Sequence, residues 1–386
     1  MTGLRVIFEP RHASGAGRAA FSVLCAFAAA GIFGSLAFAL AGVAPAEAWM
    51  AMAQGALGSP YSVSEILLKA APLTLTGLAV ALCCRLNLWN IGAEGQFVSG
   101  AVCACWAALF APAWWPVQFA LPLALAAGMA GGAAWALAPA LLKARLGVSE
   151  ILSTLLLNYV AVLFMEHLYF GPWRDPEGMG FPGTAELPEA VWLPALPHLP
   201  EQWGTRVHWG LPLALVLAVG LWWLLGRTRW GFRARVLGES PKAAAYAGFR
   251  AGRITVAAMC LSGALAGLAG AGELLGVQHR LQDGLSTGLG FAGIIVAFLA
   301  RLNVLAVPLA ALLLGGLLVG ADQLQTELRL PGSTILALEA ALLFGALLGE
   351  FLAGRRLRLK RAPVDPTGPE HDVTAREKPG EGGHAA

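Results

Sequence analysis

Residues 86–101 read LNLWNIGAEGQFVSGA, and three polar side chains, Asn90, Glu94 and Gln96, interrupt a stretch that is otherwise as apolar as membrane hydrocarbon. A carboxylate at that depth is costly to bury unless it has a partner or an aqueous cavity, so its default interpretation is functional. Three glycines in the same run allow a helix to break or to pack closely. The segment therefore indicates the pathway of a membrane channel or carrier.

The composition is that of an all-α polytopic integral membrane protein. Of 386 residues, 57% are hydrophobic and only 13% are charged, whereas soluble domains carry about 25% charged residues. The net charge of +3 is too small to suggest nucleic-acid binding. All six cysteines lie in apolar segments without a Cys-x-x-Cys pair, which predicts buried thiols rather than a metal site or a disulfide framework.

About ten apolar runs have the length that a transmembrane helix needs, roughly 20 residues. The run at 288–301 is too short to cross comfortably, which predicts a broken or re-entrant helix. The first run is longer than the apolar core of a signal peptide, so we expect a retained anchor. The predicted spans are 19–43, 62–84, 91–111, 117–142, 148–170, 207–226, 253–276, 288–301, 303–321 and 333–352.

Positive residues set the orientation, because cytoplasmic loops carry an excess of Lys and Arg. Basic residues precede the first span and then occupy alternate loops, whereas the loops between them are acidic or neutral. Ten crossings with both termini in the cytoplasm satisfy this pattern. The predicted organisation is a cytoplasmic segment at 1–18, a transmembrane domain at 19–352 and a disordered, polar cytoplasmic tail at 353–386.

The 171–206 loop faces outward in this topology and contains seven prolines, which exclude a regular helix or strand across it. It is a docking surface for an external partner or a long connector. A weak inverted repeat is also predicted, because a full span, a glycine-broken segment and two further spans occur at 62–170 and again at 253–352. Such repeats place a substrate site near the midplane, at the broken segments. Packing without any duplication explains the same order.

Two polar stripes follow helical spacing. Asn90 and Glu94 are four residues apart and are predicted to share a helix face, as Glu150, Thr154 and Asn158 roughly do. The stripes line a pathway for a small polar solute, or they hydrogen-bond to each other as interhelical packing. For Glu150 the alternative is a cap at the cytoplasmic start of its helix.

Small residues and one buried acid complete the membrane segments. The Gly263-xxx-Gly267 and Ala266-xxx-Gly270 spacings predict close helix packing. Glu339, near the middle of the last span, is either a pathway residue or a carboxyl group neutralised by protonation.

The cytoplasmic 227–253 loop contains a predicted short helix. Ser240 is a capping residue, Pro241 occupies the first helical position, and Gly248 ends the helix. An alanine-rich, lightly charged helix in this place suggests docking into a partner's groove, and a solvated loop helix is the alternative. The chain has no G-x-x-x-x-G-K-[ST] phosphate loop and no recognisable metal or nucleophile arrangement, so it is not expected to hydrolyse ATP or to be an enzyme, and no cofactor is predicted.

Five ordered motifs resemble the permease subunits of bacterial ABC importers of the branched-chain amino-acid and simple-sugar type, and are most similar to the larger permease of nucleoside uptake systems. The similarity covers most of residues 60–350. The motifs are LNLWNIGAEGQFVSGA (86–101), GVSEILSTLLLNYVA (147–161), LGESPKAAAYAGF (237–249), SGALAGLAGAG (262–272) and GLGFAGIIVAFLARLNVLAVPLAALLLGGLLVG (288–320).

The resemblance implies an inner-membrane permease for nucleosides or related nucleobase compounds. Its partners would be a second, related permease, a separate cytoplasmic ATP-binding subunit and an extracytoplasmic substrate-binding lipoprotein. The alternatives are a simple sugar or branched-chain amino acid on the same machinery, an ion-coupled carrier, or a membrane enzyme. Ala292 and Ala300 stand where family members usually have an aspartate and a glycine.

The resemblance also assigns individual positions. Coupling positions toward the ATPase would be Gly238, Ala243, Ala244 and Gly248. Pathway positions would be Asn90, Glu94 and Gln96, to which the polar stripe on the later helix adds Glu150 and Asn158 as candidates.

Overall fold

The chain is a bundle of α-helices, seen in a computed structural model that describes residues 4–10, 15–110, 116–197, 206–353 and 355–361. Each of the ten predicted spans contains a helix, which confirms the all-α membrane architecture. The helices are α1 (Gly15–Leu40), α2 (Pro45–Leu57), α3 (Pro60–Cys84), α4 (Ala93–Leu109), α5 (Ala120–Leu146), α6 (Glu150–Phe170), α7 (Gly210–Arg227), α8 (Arg229–Glu239), α9 (Pro241–Tyr246), α10 (Ala251–Glu273), α11 (Leu289–Leu299), α12 (Val307–Glu327) and α13 (Ser333–Ala353).

Within the described residues, seven helices are long and apolar enough to cross a membrane, namely α1, α3, α5, α6, α7, α10 and α12. A π-helical turn, Leu274–Gln278, lengthens α10. The other predicted spans correspond to α4, α11 and α13. With eleven residues, α11 is only about 16 Å long, in line with the broken segment predicted at 288–301. Helices α2 and α8 lie outside every predicted span.

Glycine faces bring three helices into backbone contact at the centre of the bundle. A Cβ atom at Gly263 or Gly267 of α10 would strike the backbone of α5 at Gly132 or Gly128. A Cβ at Gly270 would likewise strike the Phe97 carbonyl of α4. The close helix approach predicted from the small-residue spacings of α10 is therefore confirmed, and it fixes α4 against α10.

The short helix of each predicted repeat, α4 in the first and α11 in the second, packs against the first long helix of the other repeat. We call α4 and α11 the two short helices. Thus α4 lies on α10, and α11 lies on α3, where Gly77 of α3 leaves room for Val296. The order of a long helix, a short helix and two further helices recurs in α3–α6 and α10–α13. The order and packing of these helices are the same in both predicted repeats, and their inversion stays a prediction.

The ends of the described chain pair as an antiparallel two-stranded sheet. Strand β1 (Leu4–Pro10) runs beside β2 (Arg355–Arg361), with Leu4 opposite Arg361, and α1 packs along α13. Both ends therefore lie together, as an even number of crossings requires. Strand β2 belongs to the predicted disordered tail, of which residues 362–386 lie outside the described residues.

The 171–206 loop is held along the end of α10 by backbone hydrogen bonds, and its residues 198–205 lie outside the described part. The Leu193 N–H donates to the Leu275 carbonyl, the Leu187 N–H to His279 and the Thr184 N–H to Leu281, at 2.8–2.9 Å. Apart from a 3-10 turn, Glu189–Val191, the described part of this loop forms no helix. The prediction from the prolines holds there, because the N–H groups of the loop donate to carbonyls of residues 275–281 instead of forming a regular helix or strand.

Candidate translocation site at two discontinuous helices

The chain between α3 and α4 turns inside the protein and is stabilised by an amide pair. The Asn90 Nδ2 donates to Gln96 Oε1 at 2.8 Å, and the Gln96 Nε2 donates to Asn90 Oδ1 at 3.0 Å. The same Oδ1 accepts the Gly92 N–H at 3.1 Å. Asn90 also donates to Ser262 Oγ at 2.9 Å, and this hydroxyl donates to the Ala79 carbonyl of α3 at 2.7 Å. The turn is thereby bonded to α3, α4 and α10.

Asn158 of α6 binds the same turn from the opposite side. Its Oδ1 accepts the Gly95 N–H at 2.8 Å, and its Nδ2 donates to the Ile91 carbonyl at 2.9 Å. One amide thus occupies a backbone donor and a backbone acceptor at the start of α4. Gly92 occupies the capping position of α4 and has no side chain that could bond the first N–H groups of the helix. Asn90 and Asn158 accept N–H groups at this helix start instead.

Glu94 binds the start of α11, which lies almost two hundred residues later in the chain. Its Oε1 accepts from Ser286 Oγ at 2.7 Å and from the Gly288 N–H at 3.2 Å. Its Oε2 accepts the Gly290 N–H at 2.7 Å. Gly290 lies so close to the Glu94 backbone that a Cβ atom has no room there. The carboxylate therefore lies at the N-termini of both short helices, where the helix dipoles favour a negative charge.

The arrangement corrects the predicted polar stripe on the first segment. Asn90 precedes α4, so Asn90 and Glu94 do not share a helix face. The short Asn side chain bonds the N–H of Gly92 two residues later, and such local bonding competes with helix formation.

Glu150 lies at the edge of the site, where its Oε1 accepts the Trp89 N–H of the turn at 3.5 Å. It occupies the first turn of α6 and binds Lys143 Nζ at 2.7 Å. This matches the helix-start alternative predicted for it. Thr154 donates to the Glu150 carbonyl of its own helix at 2.6 Å.

The structure thus brings four of the five predicted pathway residues together around the α3–α4 turn, with Glu150 beside them. All five are buried, with at most 6% exposure. Their hydrogen bonds run to partners within the same chain, the arrangement of the interhelical-packing alternative. Lining of a pathway stays a prediction. Sequence reasoning missed Ser286, Ser262 and the Gly288–Gly290 start, although a serine shortly before an apolar helix is itself a capping signal.

The α8 helix is joined directly to this site. Gly238 of α8 packs against the Arg85 backbone, where a Cβ has no room, and the Asn87 Nδ2 donates to the Gly238 carbonyl at 3.5 Å. The Arg85 guanidinium donates to the Leu302 carbonyl after α11 at 3.1 and 3.2 Å. Burial, and secondarily the charge of Arg235, lowers the pKa of Arg85. Trp89 stacks on Phe298 of α11 with ring centroids 5.7 Å apart.

The α9 helix has the predicted start and end. Ser240 Oγ accepts the Ala243 N–H at 3.3 Å, and Gly248 adopts a left-handed conformation with φ of 73°. Ala243 and Gly248 are exposed. Ala244 is fully buried against the same chain, whereas Tyr246 is 100% exposed. The Ala244 side chain is therefore not available to a partner, whereas the Tyr246 side chain is.

A helical bundle with seven apolar helices of membrane-spanning length among its described residues defines a polytopic membrane protein. Residues 62–348 match the family described as the permease component of the branched-chain amino acid transport system. The chain belongs to this family of ABC transporter permeases and is a multi-pass protein of the inner membrane.

Curated relatives carry both nucleoside and sugar names. The guanosine ABC transporter permease protein NupP of Bacillus subtilis is 34% identical over 78% of this chain and 85% of its own length. The glucose ABC transporter permease protein TsgB13 of Haloferax volcanii is 33% identical over 91% and 94%. The nucleoside ABC transporter permease protein NupB of Lactococcus lactis is 28% identical over 75% and 80%. No solved structure matches the chain.

Proposed function

We propose that this chain and a second, related permease form the pathway of an ATP-driven importer for nucleosides or related nucleobase compounds. The guanosine and nucleoside permeases among its relatives support this substrate class. A simple sugar is the second candidate, because the glucose permease is similar at nearly the same identity and over more of the chain. Membership of the ABC permease family favours an importer over an ion-coupled carrier or a membrane enzyme.

The observation that carries the proposal is the rigid connection between the cytoplasmic helices and the two short helices. A separate ATP-binding subunit would press on the exposed side of α9, around Ala243 and Tyr246. Movement of α8 and α9 would reach the α3–α4 turn through the Gly238–Arg85 contact and would reach α11 through Leu302. Glu94 would then move α4 and α11 together, because it belongs to one and binds the other.

In this proposal the buried amides act as positioning groups for the pathway. Asn90, Gln96 and Asn158 hold the start of α4, which would border the route between the two permeases. Recognition of the solute would rest mainly on the external binding lipoprotein, which would dock on the 171–206 loop. The backbone bonds of this loop to the end of α10 would carry the docking signal inward.

The docking claim is tested with Tyr246→Ala and Ala243→Glu in the complex reconstituted in proteoliposomes. Both side chains are exposed, so we expect normal insertion, loss of ATPase-subunit capture and at least a ten-fold loss of uptake. Leu57→Ala is the matched control, because Leu57 is 72% exposed at the end of α2, which the proposal assigns to no docking surface. Undiminished capture of the ATPase subunit by both α9 variants would refute the docking role.

The substrate class is tested separately by competition. Uptake of labelled guanosine by the complete complex is measured against excess uridine, glucose, ribose and leucine. Competition by uridine alone supports the nucleoside proposal. Competition by glucose or ribose supports the sugar candidate, and competition by leucine would overturn both.

A further inference from the structure

An arginine-lined cavity lies on the cytoplasmic side, apart from the pathway residues. It has a volume of about 620 Å³ and is lined by three arginines from two elements, Arg233 of α8 and Arg250 and Arg253 at the start of α10. Its other walls include Trp230, Phe249 and Ile254, and no carboxylate is among its described lining residues. The cavity therefore combines a concentrated positive charge with an apolar floor.

No carboxylate among the described residues neutralises the charge of this cavity. Among the described residues, the ion pairs are Lys69–Asp322, Lys143–Glu150 and Arg206–Glu65, so none of the three arginines has a carboxylate partner. Arg233 instead lies over the Phe249 ring, 5.7 Å from its centroid. Two arginines at the start of α10 also face the positive end of its helix dipole, which is unfavourable unless an anion binds nearby.

The position of the cavity corresponds to the headgroup level of the cytoplasmic leaflet. It lies between the end of the α7 span and the start of the α10 span. Trp222 and Trp223, near the cytoplasmic end of α7, are 41% and 57% exposed, and Phe232 is 59% exposed. Exposed aromatic residues next to arginines are typical of the membrane interface, where anionic lipids attract basic residues.

We propose that this cavity binds the phosphate of an anionic phospholipid from the cytoplasmic leaflet. Guanidinium groups bind phosphate oxygens in pairs of parallel hydrogen bonds, and three arginines line this one cavity. The glycerol and the upper part of an acyl chain would cover Ile254 and Ala257, which belong to the apolar α10 span. This apolar floor favours a lipid over an acidic protein surface, because a protein carboxylate would leave it uncovered.

A bound lipid would also order the segment that follows α9. Gly248 and Phe249 line the cavity, and Gly248 ends the proposed docking region. Anionic lipid would therefore stiffen the connection between α9 and α10. This consequence depends on the proposed function, whereas the lipid site itself depends only on the membrane position of the chain.

The test is native mass spectrometry of the full-length protein with palmitoyl-oleoyl phosphatidylglycerol, with phosphatidylcholine of the same chains, and with inorganic phosphate. The test variant combines Arg233→Gln, Arg250→Gln and Arg253→Gln. The control removes the same charge from three exposed cytoplasmic residues outside the cavity, with Arg145→Gln, Arg229→Gln and Lys242→Gln. Thermal unfolding of each protein checks that the fold is kept, and Arg253→Lys, which retains the charge, should keep most of the binding.

We expect wild type and control to retain phosphatidylglycerol in preference to phosphatidylcholine, and the test variant to lose about ten-fold or more of that affinity. Equal retention of both lipids, or unchanged binding by the test variant, would overturn the proposal. Saturable binding of inorganic phosphate with no lipid preference would identify a free-anion site instead.

Discussion

The two short helices begin inside the protein, and their starts are held in different ways. The start of α4 is held by neutral amides from different elements, Asn90 in the preceding turn and Asn158 on α6, with Gln96 bonded to the first. The start of α11 is held by one carboxylate, Glu94, with the Thr76 hydroxyl bonding the Leu289 carbonyl at 3.1 Å. The first turn of any helix leaves backbone N–H groups unsatisfied, and burial makes those groups costly.

The start of α4 is held by several side chains, which we call a redundant anchor, whereas the N–H groups at the start of α11 depend on Glu94 alone, which we call a single anchor. When one amide at α4 is removed, others still bond the turn. When Glu94 is removed, three donors at the start of α11 lose their acceptor at once. Glu94 also belongs to α4, so α11 depends on α4, whereas α4 is held independently of α11. A motion that starts at α4 is therefore expected to carry α11 with it.

The largest effect is predicted for Glu94→Leu, which leaves Ser286, Gly288 and Gly290 without their acceptor. We expect a loss of about 3 kcal/mol or more in stability, because hydrogen bonds to charged groups contribute about 1.5–3 kcal/mol each and are not additive. Thermal unfolding in detergent measures this loss. Glu94→Gln keeps the shape and one acceptor oxygen, so its loss should be smaller. Wild-type stability of the leucine variant would remove the single-anchor interpretation.

Asn158→Leu should have the next largest effect. It leaves the Gly95 N–H and the Ile91 carbonyl unpaired in a buried place, and we expect a loss of about 2 kcal/mol. Hydrogen exchange at the start of α4 should rise, with little change at α11.

Thr154→Val is the matched control for that variant, one turn away on the same helix. Its hydroxyl bonds only carbonyls of its own helix, so we expect a change below about 1 kcal/mol. Equal losses in both variants would mean that Asn158 acts by general packing rather than by holding the turn.

Asn90→Ala tests the redundancy of the α4 anchor. We expect a loss of about 1 kcal/mol, because Asn158 still holds Gly95 and Ile91. Combined with Gln96→Ala, the loss should be clearly less than the sum of the single losses, because the two amides bond each other. Strict additivity in this double-mutant cycle would show that the amides act separately.

The spans and the α9 helix could be predicted from sequence because their signals are local. Apolar runs identified ten helical segments, and the Ser240-Pro241 start and Gly248 end were sufficient for α9. The α2 helix, Pro45–Leu57, was missed because its apolar run is short and follows the first span closely. For α8 the four arginines around it suggested only a positive loop.

The candidate site could be predicted in its members but not in its geometry. Burial cost alone pointed to Glu94 and Asn158, yet their partners Gly290 and Gly95 lie 196 and 63 residues away in sequence, where no local pattern indicates them. The prediction of a helix through Asn90 was wrong, because the Asn90 side chain accepts the Gly92 N–H and so forms a turn that precedes α4. Tertiary bonds of this kind decide where a discontinuous helix starts.

The last prediction concerns pH and the residues that lead toward α11. His208 lies at the start of α7, its Nδ1 accepts the Gly210 N–H at 3.0 Å, and its ring packs against Gly276 at the end of α10. Burial, with a smaller contribution from His279, lowers the pKa of His208 to about 4, below the usual 6.5. The folded protein thus favours the neutral ring, so its contribution to stability is complete above about pH 6.5 and is lost progressively as the pH falls toward 4. Thermal unfolding at pH 7.5 and 5 should show a drop that His208→Gln reduces, and hydrogen exchange at low pH should rise near residues 276–290 before it rises at the start of α4. An equal rise at both starts would mean that the two anchors share one response to acid, contrary to the comparison drawn from their chemistry.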